Sequence, residues 1–248
     1  MQALQATSLS WGVGGLTIVE DVDFEVGHGE LVSVIGPNGA GKTSLINLLS
    51  GVHSPDAGRI ELLGEEITDL RPADRVKMKL GRTFQTSSLF LGLTVSENVR
   101  IAAQAALGGS LNLFRTPKAT DQANDVVATA LQRVGLANRA NDNVGELSHG
   151  DKRKLELAMV LAGDPKVVLL DEPTAGVSVE DTQPLVDLIS ELHESGLAVV
   201  MVEHRMEFVI GVSDRVAVMH EGRMLTAGTP DEVMADPRVR EAYLGRTA

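Results

Sequence analysis

The segment Gly36-Pro37-Asn38-Gly39-Ala40-Gly41-Lys42-Thr43 constrains this chain more than any other. It fits G-x-x-x-x-G-K-[ST], the phosphate-binding loop. The apolar run Leu31–Ile35 leads into it, and residues 44–49, beginning at Ser44, lead out with a helical pattern. That order of strand, glycine loop and helix is the context the motif requires. Glycines let backbone N–H groups curl around phosphate oxygens without Cβ clashes. The following helix points its positive N-terminal end at the same oxygens. Lys42 then reaches the terminal phosphates, and the Thr43 hydroxyl is available to Mg²⁺. The ligand this predicts is a nucleoside triphosphate.

Composition narrows the use. The chain has 248 residues, enough for one large α/β domain or two small ones, and 43% of them are hydrophobic. Aromatics are only 3%, so the core must be aliphatic. There is no cysteine, which excludes disulfides, thiolate-held iron–sulfur clusters and a cysteine nucleophile. The formal net charge of −12 argues against nucleic acid as the main ligand, because gripping phosphate backbones needs a basic face. Residues 1–7 show no basic-then-apolar leader, and runs such as residues 197–202 are far too short to cross a bilayer. The expectation is a cytoplasmic chain whose membrane contact goes through a partner.

The order of elements reads as α/β. Residues 1–35 read as short strands; Val22, Phe24 and Val26 alternate with acidic residues. A strand is expected at residues 59–63, a short charged helix from Arg71 to about Leu80, and a strand at residues 81–85. Thr94 and Glu97 have capping-box spacing, which predicts a helix to about Ala106. Residues 107–120 read as a loop and residues 121–134 as an amphipathic helix, so a mostly helical insert spans about 86–160. The α/β rhythm returns with buried strands at residues 167–170 and 198–202. A hairpin turning at His220-Glu221-Gly222 follows, then a capping box at Thr229.

Two further stretches carry chemistry. The first apolar strand of that returning rhythm ends in Asp171-Glu172-Pro173. Ligands of open α/β sheets sit beyond the carboxyl ends of strands. There Asp171 is placed to hold Mg²⁺ through water, and Glu172 to polarise an attacking water. Leu147-Ser148-His149-Gly150-Asp151 opens a helix whose buried stripe is Leu155, Ala158, Met159 and Ala162. Ser148 and Asp151 have capping-box spacing, with Asp where Glu or Gln is usual.

With these stretches in place, the chain resembles over nearly its whole length the ATP-binding subunit of an ABC transporter. The resemblance implies a P-loop NTPase core with an N-terminal antiparallel β subdomain and an inserted helical subdomain. All of it would be a single ABC-type domain over residues 1–248. It implies binding and hydrolysis of Mg·ATP. Residues 147–151 look like the family signature, Leu-Ser-Gly-Gly-Gln, so Ser148, His149 and Gly150 would face a nucleotide held by a second ATP-binding subunit paired head to tail. Gln85 matches the glutamine that senses Mg²⁺ and water, and His204 the histidine that contacts the γ-phosphate. The adenine-stacking aromatic of the family falls at Val13. Trp11, two residues earlier, is either a displaced stacking platform or a packing residue. A groove near Gln85, with Thr86, Ser87, Ser88, Leu89 and Phe90, would receive an integral membrane permease subunit. That places the chain peripherally on the inner face of the plasma membrane.

Within the family, residues 81–85 with 93–99, the insert after Arg100 and the tail 236–245 look like importers of branched-chain amino acids. Residues 148–150, 206–209 and 219–222 look more like urea-importing relatives. Four departures stand out: His149 and Asp151 replace the signature Gly and Gln, Ser178 stands where many relatives carry Asp, and Arg205 follows His204 where Asp is common. Repair ATPases of the family carry a long coiled coil and translation ATPases two such domains, and this chain has neither. A nucleotide-gated binding module that barely hydrolyses ATP is disfavoured by Glu172, Gln85 and His204 together. Kinases and GTPases lack the signature stretch.

Overall fold

The computed structural model describes residues 2–83, 89–107 and 120–244. Two sheets organise them. The first is antiparallel, in the order β2-β1-β4-β5, from β1 (Gln2–Val13), β2 (Leu16–Gly27), β4 (Ala57–Leu62) and β5 (Glu65–Glu66). The opening region is therefore two twelve-residue strands and not several short ones. Register shifts along their ladder, as between Ala6 and Leu9, break the side-chain alternation that would mark long strands.

The second sheet has the order β10-β9-β3-β8-β7-β6. Its strands are β3 (Leu31–Ile35), β6 (Leu80–Arg82), β7 (Val167–Asp171), β8 (Ala198–Val202), β9 (Arg215–His220) and β10 (Arg223–Gly228). All neighbours pair parallel except β10 against β9. Strands β3, β7 and β8 are buried at every residue, as a parallel sheet covered on both faces requires. Val32, Val34, Leu169 and Val200 pack with the antiparallel sheet and α1 (Lys42–Leu49). Leu31, Val168, Leu170, Val199 and Met201 face the opposite core, formed with the helices inserted between β6 and β7.

Those helices are α3 (Val95–Ala106), α4 (Thr120–Arg133) and α5 (His149–Leu161); α6 (Val179–Glu194) closes the same core. At Thr94 both arms of the capping box form: its hydroxyl accepts from Glu97 N, and Glu97 accepts from Thr94 N at 2.8 Å. The short helix α2 (Pro72–Lys77) ends before the expected Leu80, which belongs to β6. The expected strand end at Gln85 lies outside the described residues, as does most of the expected loop 107–120. Helices α7 (Met206–Val212), α8 (Pro230–Ala235) and α9 (Pro237–Leu244) cover the β9 side.

Arg75 of α2 is fully buried and faces four carbonyls. It donates to Leu48 O at 2.7 Å, Leu49 O at 2.8 Å, Leu70 O at 2.9 Å and Thr68 O at 2.7 Å. Burial lowers its pKa to about 10, with Asp69 opposing. The first two carbonyls end α1, so a buried cation sits at the negative end of the helix that opens after the glycine loop. Arg82 adds a second: its guanidinium donates to Ser50 Oγ at 2.5 Å.

Candidate functional site

Four adjacent parallel strands, β3, β8, β7 and β6, bring their carboxyl ends to one edge. Each end carries a residue singled out from the sequence or leads toward one: Gly36 to Thr43 after β3, His204 after β8, Asp171 and Glu172 on β7, and Gln85 beyond β6. Gln85 itself, with Thr86, Ser87 and Ser88, lies outside the described residues.

The loop is tightly built. Gly36 has φ +149°, and a Cβ there would come within 2.1 Å of Met219 O, so no other residue fits. The β9–β10 turn braces the loop from the other side, with Gly222 N donating to Ala40 O at 3.1 Å. Pro37 O accepts from Ala40 N at 3.1 Å, while Asn38 and Gly39 are exposed at the tip. Gly41 caps α1 without a side-chain acceptor. Lys42 is buried, and its ammonium donates to Gly36 O at 2.7 Å and Pro37 O at 3.0 Å. Burial lowers its pKa, against the pull of Glu172 and Asp171. Lysine and carboxylates thus share one field. Thr43 is exposed and Ser44 half-buried at the helix start.

Asp171 is 1% exposed, and neither carboxylate oxygen accepts a hydrogen bond from the described residues. Arg82 Nη2 stands 3.6 Å from Oδ2. Burial raises the Asp171 pKa, opposed mainly by Arg82. Glu172 has φ +49°, sparsely populated for a residue with a Cβ, and its N–H is fixed to Val202 O at 2.9 Å. That backbone turns the chain sharply off the strand before Pro173.

Sequence reasoning missed Glu203, the residue before His204. It is fully buried. Oε1 accepts from Thr174 N at 3.2 Å and from the Thr174 hydroxyl; Oε2 accepts from His204 N at 2.8 Å and Arg205 N at 3.2 Å. One carboxylate therefore ties the segment after Glu172 to the backbone of His204. The imidazole stays exposed, with Nδ1 at 3.6 Å from Oε2. Arg205 extends the tie, donating to Thr182 Oγ1 at 3.0 Å, whose hydroxyl donates to Ser178 O at 2.7 Å. Ser178 caps α6, accepting from Asp181 N at 3.2 Å. The sequence signal of Glu203 was a carboxylate directly after the otherwise apolar strand β8. Glu203→Gln puts an amide donor against at least one backbone N–H. If Glu172 and His204 carry hydrolysis, the expected result is a kcat about tenfold lower with KM for ATP within about twofold. Steady-state phosphate release checks this; an unchanged kcat would contradict it.

The signature stretch starts α5. Ser148 Oγ accepts from Asp151 N at 3.1 Å, half of a capping box; the other half is missing because the Asp151 carboxylate turns to Arg139. Gly150 is wedged against α6: a Cβ there would stand 2.7 Å from Asp181 Cβ. His149 and Ser148 are exposed.

Val13, at the tip of the β1–β2 hairpin, is 57% exposed. Trp11 packs against the antiparallel-sheet core and stacks on His53, with ring centroids 4.5 Å apart and planes at 10°. One face of its indole is thus engaged within the chain.

A family profile described as "ABC transporter" matches residues 19–175, and one described as "Branched-chain amino acid ATP-binding cassette transporter" matches residues 223–248. The high-affinity branched-chain amino acid transport ATP-binding protein LivG of Escherichia coli (strain K12) is 39% identical over 248 residues, 98% of this chain and 97% of that protein. BraF of Pseudomonas aeruginosa, of the same description, is 38% identical with the same coverage. The crystal structure of a nucleotide-free ATP-binding cassette from an ABC transporter superposes with TM-score 0.88 at 28% identity, over 99% of this chain and 100% of that one. A profile match over more than half the chain, whole-length relatives and a shared cassette fold give one conclusion: this chain belongs to the ABC transporter family.

Proposed function

We propose that the chain is the ATPase subunit of an importer of branched-chain amino acids or a related small polar solute. It hydrolyses Mg·ATP at a head-to-tail interface with a second ATP-binding subunit. ATP hydrolysis coupled to transport is the activity of the family. The observation that carries the hydrolytic role is Asp171, a buried carboxylate that accepts no hydrogen bond among the described residues, next to Glu172 and in one field with Lys42. Such a group is completed by a cation. Mg²⁺ is commonly held by one or two protein groups plus phosphate oxygens. Asp171 and the exposed Thr43 hydroxyl fit that role, with Gln85 as a further ligand. The cation would neutralise charge on the phosphates. Gly36 to Ser44 cradle those phosphates, and Glu172 takes the proton of the attacking water. His204, oriented by Glu203, meets the γ-phosphate, and Ser148, His149 and Gly150 complete the partner's site. Val13, exposed at the hairpin tip, suits an apolar contact to the purine. Trp11, engaged with His53, suits packing better.

The solute reading draws on the C-terminal match and on the LivG and BraF likeness; the urea alternative has no comparable support. Permease docking is supported by a largely apolar cavity of about 550 Å³ lined by Val76, Leu89, Ala102, Ala105, Met159 and Val160. The neighbouring Phe90 is 49% exposed, whereas Leu89 packs into the helical core. No helix of the described residues is long and apolar enough to cross a membrane, which suits a peripheral subunit on the cytoplasmic face. Deleting the gene is expected to abolish uptake of labelled leucine. Wild type should restore it and Lys42→Ala should not. Normal leucine uptake with lost urea uptake would overturn the solute assignment.

A further inference from the structure

Asp151 creates an electrostatic conflict. It is the third residue of α5, in the first turn, at the end of the helix dipole that attracts anions. In the head-to-tail reading proposed above, this same turn must receive the phosphate end of the nucleotide held by the opposing subunit. A carboxylate there stabilises its own helix but repels that phosphate. The resemblance leads one to expect an uncharged Gln at this position. The turn cannot swing away, because Gly150 is wedged against Asp181, itself a second acid.

The structure holds a cation against this charge. Arg139 ends a single helical turn, Ala137–Arg139, twelve residues earlier in the chain. Its Nη1 pairs with Asp151 Oδ2 in a short contact, and its Nε holds Asp142 Oδ2 at 2.7 Å. The Asp151 side chain is only 22% exposed, and Arg139 36%. The pair also explains the missing half of the capping box, because the carboxylate is drawn away from the helix start.

We infer that Arg139 is a positioning residue for the nucleotide-facing turn of α5: it turns the Asp151 carboxylate aside and neutralises it, so that the turn can accept the opposing subunit's triphosphate. The arginine and aspartate together stand in for one neutral glutamine. With Arg139 removed, two acids, Asp142 and Asp151, remain beside the turn without their shared cation.

The test uses the hydrolysis-impaired Glu172→Gln chain, whose self-association with Mg·ATP is followed by sedimentation velocity. Adding Arg139→Ala is expected to weaken the ATP-dependent dimer by roughly 10–100-fold at low salt, from a few-fold to tenfold at each of the paired sites. The loss should shrink as salt is raised. Arg139→Lys keeps the charge and should retain most of the affinity. The decisive variant is Arg139→Ala with Asp151→Gln, which should return to within about threefold of the parent. If Arg139 were only a structural brace, removing its second partner would not restore association. An unchanged Arg139→Ala dimer, or a double variant as weak as the single one, would overturn the inference. A Glu172→Gln parent that stays monomeric with Mg·ATP would overturn the head-to-tail reading itself, and the inference with it.

Discussion

Glu172→Gln is expected to slow ATP hydrolysis by roughly 10²–10⁴-fold, the usual cost of losing a general base. Glutamine keeps the shape of the side chain and removes its basicity. The strained backbone at φ +49° and the bond from its N–H to Val202 O are properties of the main chain and survive the change. ATP should still bind, because Lys42, Thr43 and Asp171 are untouched. A dimer held together by two ATP molecules should then persist instead of being hydrolysed apart. Charge acts in the same direction. Two chains of formal net charge −12 repel, and the substitution removes one negative charge from each. Gel filtration should show a dimer with Mg·ATP and a monomer with ADP. Moderate salt should favour the dimer by screening, until it weakens the phosphate contacts. A variant hydrolysing ATP at the wild-type rate would show that Glu172 is not the base.

Asp171→Asn should separate stability from activity. The carboxylate is buried and accepts no hydrogen bond among the described residues, and burial raises its pKa despite Arg82. A raised folded-state pKa means that the group's stability contribution is present below the unfolded value near 3.9 and is lost as pH rises through the folded value. At neutral pH the wild type therefore carries a penalty that asparagine avoids. A gain of about 1 kcal/mol would raise Tm by roughly 2–4 °C in a chain of this size. Melting with a chelator present should show that gap at pH 7 and its closure toward pH 4. If Asp171 anchors the cation as proposed, hydrolysis should fall by roughly 10²–10³-fold, since each 1.4 kcal/mol is a factor of ten. Mg²⁺ should add less to the stabilisation by ATP in the variant than in the wild type. A less stable but active Asp171→Asn chain would contradict this account.

What could be read from the sequence was what is local. The phosphate loop, the carboxylates ending β7 and the capping boxes at Thr94 and Thr229 each lie within a few residues, and spacing alone specifies them. The continuous apolar runs of β3, β7 and β8 likewise required a sheet covered on both faces. The long β1–β2 ladder was hidden by its bulges, which shift the alternation out of phase. Residues whose roles come from distant partners were also hidden. Glu203 is an ordinary acid until Thr174, 29 residues away, donates to it. Trp11 looks available for a purine until His53 covers one face. Asp151 looks like a damaging departure until Arg139 is seen beside it. Arg75 could have been a surface charge on a short helix, yet it is the buried clasp at the end of α1.

The central claim is that this chain hydrolyses ATP at a site completed by a second subunit, with Lys42, Asp171 and Glu172 on one side and the start of α5 on the other. The most direct measurement is Mg²⁺-dependent phosphate release by the purified chain over a wide range of protein concentration. The account predicts that activity per chain rises with concentration and levels off as the chains pair, and that Lys42→Ala shows no activity at any concentration. Activity per chain that stays constant down to the highest dilution would contradict it.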